Sequence, residues 1–153
     1  MLKVGDRAPD FDATDHTGRR QRLSALLTAG PVIVYFYPAD FTPVCTAEAC
    51  LFRDQSDALE KADIRIVGIS PQSDASHKRF AAAHALHFPL LADPSKTIIR
   101  AYGVDGPLGF GVRRATFLID PDGTISRRVV ADLLLGSHKA FIASVLEQNG
   151  PDS

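Results

Sequence analysis

The chain has 153 residues, 45% of them hydrophobic, with 17 basic and 18 acidic side chains and a formal net charge of −1. That length suits one domain, here residues 1–153, burying roughly 68–70% of its unfolded surface, so a full core forms without disulfide staples. Near-neutral charge excludes the electrostatic footprint of a nucleic-acid or anionic-membrane partner, and two cysteines exclude a secreted disulfide framework.

No apolar run approaches the roughly 18 residues of a spanning helix. The start, Met1-Leu2-Lys3-Val4-Gly5-Asp6, lacks the apolar segment of a signal peptide. A cytoplasmic location is the expectation. Thiols there stay reduced, which favours a catalytic cysteine pair over a structural bridge. The short basic clusters Arg19-Arg20 with Arg22, and Arg127-Arg128, read as solvated strand or turn faces.

In chain order, Phe11 to Leu23 alternates around Asp15-His16-Thr17-Gly18, which predicts a hairpin followed by a short helix near Ser24. Pro31 to Tyr37 is a continuous apolar run, the mark of a strand covered on both faces. Thr42 to Ala62 carries helical spacing. Ile64 to Ile69 is a second buried strand, and Ser73 to Leu86 a helix that Ser73 can cap. Phe88 to Leu91 reads as a short strand and Ser95 to Tyr102 as a short helix, before a glycine-rich loop from Gly103 to Gly111. Ala115 to Ile119 and Thr124 to Val130 form a hairpin about Asp120-Pro121-Asp122-Gly123. Ser137 to Gln148 closes the chain as an amphipathic helix. This order predicts an α/β architecture, a mixed sheet with helices on both faces and an N-terminal hairpin.

The stretch Pro38-Ala39-Asp40-Phe41-Thr42-Pro43-Val44-Cys45, with Cys50 five residues on, carries the chemistry. Pro43 suits the first helical position and Thr42 the N-cap. Cys45 then lies in the first turn, where unpaired N–H groups and the positive end of the helix dipole favour thiolate over thiol. Singly, Thr42 reads as a cap and Cys45 as a small core residue. Their combination points to a nucleophile.

The motif resembles the peroxidatic sequence of peroxiredoxins, and the spacing of Cys50 resembles their Q-type, or bacterioferritin comigratory protein, subgroup. The resemblance covers nearly the whole chain and implies a thioredoxin-like fold. It also implies a thiol-dependent peroxidase acting on hydrogen peroxide and organic hydroperoxides, recycled by thioredoxin or a similar dithiol. Cys45 corresponds to the attacking thiol and Cys50 to the resolving one. Thr42 and N–H groups near Cys45 would hold the peroxide oxygens, and Pro38 would shield the site. Arg114, just before the Ala115 strand, matches the arginine placed beside the cysteine. Its neighbour Arg113 would point the other way and stay solvated.

Val44 departs from the pattern, standing where Q-type members commonly have glycine, and its β-branched side chain narrows the pocket. No cysteine follows Cys50, so the resolving arrangement that uses a carboxy-terminal cysteine of a partner subunit is excluded; a monomer or weak dimer is expected. Two readings of other classes compete with that of a peroxidase. A general dithiol–disulfide exchanger lacks support, because four residues, not two, separate the cysteines and no proline directly precedes the Ala115 strand. A binding module with no turnover has no large patch to serve it. A one-cysteine cycle resolved by an external thiol is the alternative within the peroxidase reading.

No cofactor or metal is expected. His84 and His87 share a helix face without a third ligand, and Cys45 with Cys50 lacks a second pair. Gly106, Gly109 and Gly111 lead into a strand rather than out of one, so they read as a mobile loop, not a dinucleotide fingerprint.

Overall fold

A computed structural model describes residues 1–130 and 136–149. Two short strands, β1 (Asp12–Thr14) and β2 (Arg20–Arg22), form the N-terminal hairpin, followed by α1 (Leu23–Leu26). Asp15 closes its turn by accepting from the Thr17 N–H (2.8 Å) and the Arg19 N–H (3.1 Å). Arg20 and Arg22 are not merely solvated. Both reach back to the Asp12 carboxylate across the hairpin and hold it well below the usual carboxylate range.

The main sheet has the order β5-β4-β3-β6-β7, built from β3 (Val32–Phe36), β4 (Arg65–Ser70), β5 (Leu90–Ala92), β6 (Ala115–Ile119) and β7 (Ile125–Val130). Strands β3, β4 and β5 run parallel, while β6 and β7 are antiparallel to their neighbours. β3 is central and entirely buried, as its unbroken apolar run requires. Its side chains alternate between two cores. Ile33 and Tyr35, with Tyr37 just beyond, meet α2 (Pro43–Lys61), α3 (Asp74–His84) and α5 (Gly136–Asn149). Val32, Val34 and Phe36 face Leu23 and Leu27 on one side of α1, and Ile99 of α4 (Thr97–Ala101).

Helix ends follow local chemistry. Ser73 caps α3 by accepting from the Ser76 N–H at 3.1 Å. Helix α2 stops where Asp63 adopts a left-handed conformation (φ 60°) and the Ile64 N–H bonds back to the Leu59 carbonyl (2.9 Å). In the β6–β7 turn, Gly123 takes φ 89°, a value that suits only glycine without strain. The Gly103–Gly111 segment expected to be mobile is braced. It contains a short 3₁₀ turn at Pro107–Gly109, and Lys96 Nζ donates to the carbonyls of Gly109 (3.2 Å) and Gly111 (3.1 Å). Among the described residues, no helix is long and apolar enough to cross a membrane.

Candidate active site

Strand register brings the site together. Phe36, near the end of β3, pairs with Ala115 at the start of β6. The chain leaving β3 therefore runs beside the residue that enters β6, which is Arg114. Pro38 follows β3 half-buried, and the loop through Thr42 delivers Pro43 to the first position of α2. The buried face of α2 is Cys45, Glu48, Ala49, Phe52 and Leu59, a helical stripe against the sheet. Cys45 is thus aimed inward, and its thiol is 1% exposed.

Arg114 Nη1 donates to Cys45 Sγ at 3.0 Å and to Glu48 Oε1 at 3.3 Å, so one guanidinium nitrogen bridges the thiol and a carboxylate. All three residues are buried. Burial opposes a charged guanidinium, but its bonds to Cys45 and Glu48 outweigh that cost and raise Arg114 above its ordinary value. The guanidinium therefore places its positive charge directly against the sulfur. Arg113, by contrast, is exposed and uses its N–H on the Val104 carbonyl (2.7 Å).

Thr42 stands at the N-cap with extended backbone, as expected, but its hydroxyl does not cap. It donates to the Ala39 carbonyl at 3.2 Å instead. The loop carbonyl competes for the hydroxyl hydrogen, so the first-turn N–H groups keep no side-chain acceptor from Thr42. Cys50 is half-buried on the unbroken α2, and both cysteines are free thiols.

Two further features lie outside the sequence reading. Glu48 is one; its position three residues after Cys45, on the same helix face, was a legible signal. The other is a buried polar cluster around Asp40. Its carboxylate accepts from Tyr37 Oη (2.7 Å) and Ser76 Oγ (2.7 Å) and meets His77 Nδ1 (2.7 Å). Nothing local marks Asp40 and His77 as partners, because 37 positions separate them.

The AhpC/TSA family pattern matches residues 4–128. The chain is 36% identical to peroxiredoxin Bcp of Escherichia coli over 154 residues, covering 97% of each chain. Among solved structures, peroxidoxin BcpB of Mycobacterium tuberculosis superposes with a TM-score of 0.88 at 36% identity, covering 97% of this chain and 98% of that one.

This chain belongs to the AhpC/TSA family of peroxiredoxins.

Bacterioferritin comigratory protein of Xanthomonas campestris, described for its alkyl peroxide reduction activity, is similar at 28% identity and a TM-score of 0.84 over 97% of this chain and 98% of its own. As a peroxiredoxin of the Bcp or Q type, the protein is a thiol-dependent peroxidase with a thioredoxin-like fold. The family acts on hydroperoxides with thioredoxin-type reductants. The mixed sheet with helices on both faces agrees with the expected architecture, including the hairpin at the N-terminus.

Proposed function

We propose that this peroxiredoxin reduces hydrogen peroxide and organic hydroperoxides with Cys45 as the attacking thiol. The reading is carried by one observation: Arg114 Nη1 lies 3.0 Å from a buried Cys45 Sγ in the first turn of α2. The thiolate attacks the terminal peroxide oxygen, and the O–O bond breaks. The electron pair leaves on the distal oxygen, which takes a proton and departs as water or alcohol, while Cys45 becomes a sulfenic acid. Charge grows on the leaving oxygen, and positioned donors aimed at it are the largest source of rate. Arg114 and first-turn N–H groups are those donors. Thr42, whose hydroxyl hydrogen is held by Ala39, offers its lone pairs to the peroxide O–H. Pro38 and Val44 flank the pocket and limit water and bulky substrates.

Cys50 then attacks the sulfenic sulfur, water leaves, and a Cys45–Cys50 disulfide forms, which a thioredoxin-like dithiol reduces. Residues five apart on a helix have Cα atoms about 8.7 Å apart, whereas a disulfide needs roughly 4.4–6.8 Å. The first turns of α2 must therefore unwind in each cycle. The unbroken α2 of the free-thiol form is also what supports the second reading, a one-cysteine cycle completed by an external thiol. The protein works as a single domain in the cytoplasm, as a monomer or weak dimer, without nucleic acid, membrane or cofactor.

Steady-state turnover with hydrogen peroxide, thioredoxin, its reductase and NADPH tests the peroxidase reading, and no turnover with any peroxide would overturn it. Intact mass after one equivalent of peroxide separates the two cycles. Loss of two hydrogens with no free thiol supports the disulfide; a persistent sulfenic acid with Cys50 free supports the one-cysteine cycle.

A further inference from the structure

The loop that carries Thr42 to the head of α2 is tied to the interior through Asp40. Asp40 is buried, and its carboxylate meets three side chains, from Tyr37, Ser76 and His77. Tyr37 Oη gives to Oδ1, while Ser76 Oγ and His77 Nδ1, both from the first turn of α3, reach Oδ2, each at 2.7 Å. Burial alone would push Asp40 up, but these bonds hold it below the usual carboxylate range. His77 is itself anchored. Its Nε2 lies 3.2 Å from the Leu91 carbonyl of β5 and 3.4 Å from Ser70 Oγ of β4. The clamp thus ties the loop to α3 and, through His77, to the sheet.

The next residue shows why a clamp is needed. Phe41 has φ 64°, an unfavourable conformation for a bulky residue, and its side chain is 51% exposed. Its ring rests edge-on against Phe80 of α3 at 5.2 Å. Such a backbone persists only where its surroundings over-determine it. Three residues after Asp40, α2 begins, and its first turn presents Cys45 to Arg114.

We propose that Asp40 is a positioning residue, whose clamp to Tyr37, Ser76 and His77 holds the Pro38–Thr42 loop and the first turn of α2 in the peroxide-binding form and thereby sets the fate of the Cys45 sulfenic acid. While the clamp holds, the sulfenic acid stays in the closed pocket. A second peroxide can then oxidise it to sulfinic acid, transferring one oxygen to sulfur and releasing water or alcohol. When the loop is freed, α2 opens sooner and Cys50 captures the sulfenic sulfur with loss of water. The second half of this inference rests on the two-cysteine reading above; the first half does not.

The test uses the full chain with Asp40→Asn, Ser76→Ala, His77→Gln and His77→Asn. Amide exchange of the reduced proteins is read at residues 44–49, with 32–36 of β3 as the measure of an intact fold. Mass spectrometry then counts disulfide against sulfinic acid over graded hydrogen peroxide. Removing a bond to a charged group is expected to raise exchange at residues 44–49 about tenfold in Asp40→Asn and His77→Gln. The peroxide needed for half-conversion to sulfinic acid should rise by about the same factor. His77→Asn, whose amide nitrogen stands close to where Nδ1 was, should restore most of both. Unchanged exchange and unchanged partition in Asp40→Asn, with β3 still protected, would overturn the proposal. Should Asp40→Asn fail to fold, Ser76→Ala and the two His77 variants decide by the same two readouts. If the wild-type protein forms no intramolecular disulfide, the two-cysteine reading falls and the exchange measurement alone judges the clamp.

Discussion

In the proposed cycle, Cys45 supplies the nucleophile and Arg114 the positive charge beside it. Cys45→Ser should abolish peroxide consumption, because a serine hydroxyl is a poor nucleophile toward oxygen and its alkoxide is inaccessible at neutral pH. A stopped-flow or coupled assay that found most activity intact would remove Cys45 from that role. Arg114→Ala takes away the donor at 3.0 Å from the sulfur, and with it a positioned donor for the leaving oxygen. Losses on the order of 10²–10³ in the peroxide step are expected, whereas Arg113→Ala, at an exposed position, should leave the rate within about twofold. Strand alternation separates the two arginines onto opposite faces, but the choice of Arg114 over Arg113 was legible only through the resemblance to peroxiredoxins. Glu48 was legible in principle, as a charge on the apolar stripe of α2 three residues past the cysteine.

At the scale of elements, α2 and the strands behind it govern what the site can do. If the disulfide forms, α2 cannot stay wound around it. The oxidised protein should then lose amide protection between Val44 and Phe52 relative to the reduced form, while the Arg53–Lys61 end keeps it. Hydrogen exchange that shows no difference would favour the one-cysteine cycle. The base of the site depends on Gly68 of β4, paired with Tyr35. A Cβ at Gly68 would lie 2.8 Å from both the Tyr35 ring and the Leu90 side chain. Tyr35 stacks on Phe52 of α2 with ring centroids 4.6 Å apart, so the crowding would pass to the helix. Gly68→Ala is expected to destabilise the protein by about 1–3 kcal/mol, the usual cost of overpacking, measured by urea unfolding. Element boundaries departed from expectation only at their ends. The Thr42 hydroxyl, for instance, found the Ala39 carbonyl instead of the helix, a choice made by loop geometry that no cap rule contains.

For the molecule as a whole, stability in acid should depend on Asp40. Its carboxyl is held below the ordinary range in the folded state, so folding favours the ionised form. That contribution is complete above the unfolded value of about 3.9. It is lost as the pH falls through the lowered folded value. Melting temperatures measured from pH 7 downward should therefore fall more steeply below about pH 4 in the wild type than in Asp40→Asn, which has no carboxyl to protonate. Equal slopes would show that the clamp bonds a carboxyl whose ionisation does not matter.

By itself the sequence determined the strands, the helices and the reactive turn. A buried strand is written as an apolar run, a helix as a stripe with a capping residue, and a reactive thiol as Thr42-Pro43 ahead of Cys45, all set by sterics and hydrogen bonds within a few residues. Tertiary structure decided the rest. The Arg114–Cys45 contact spans 69 positions and the Asp40–His77 contact 37, and both sit in the interior. A buried charge is tolerable only beside its partner. Which residue becomes that partner is settled by the register of β3 on β6 and by the seating of α3 against the sheet, not by any pattern along the chain.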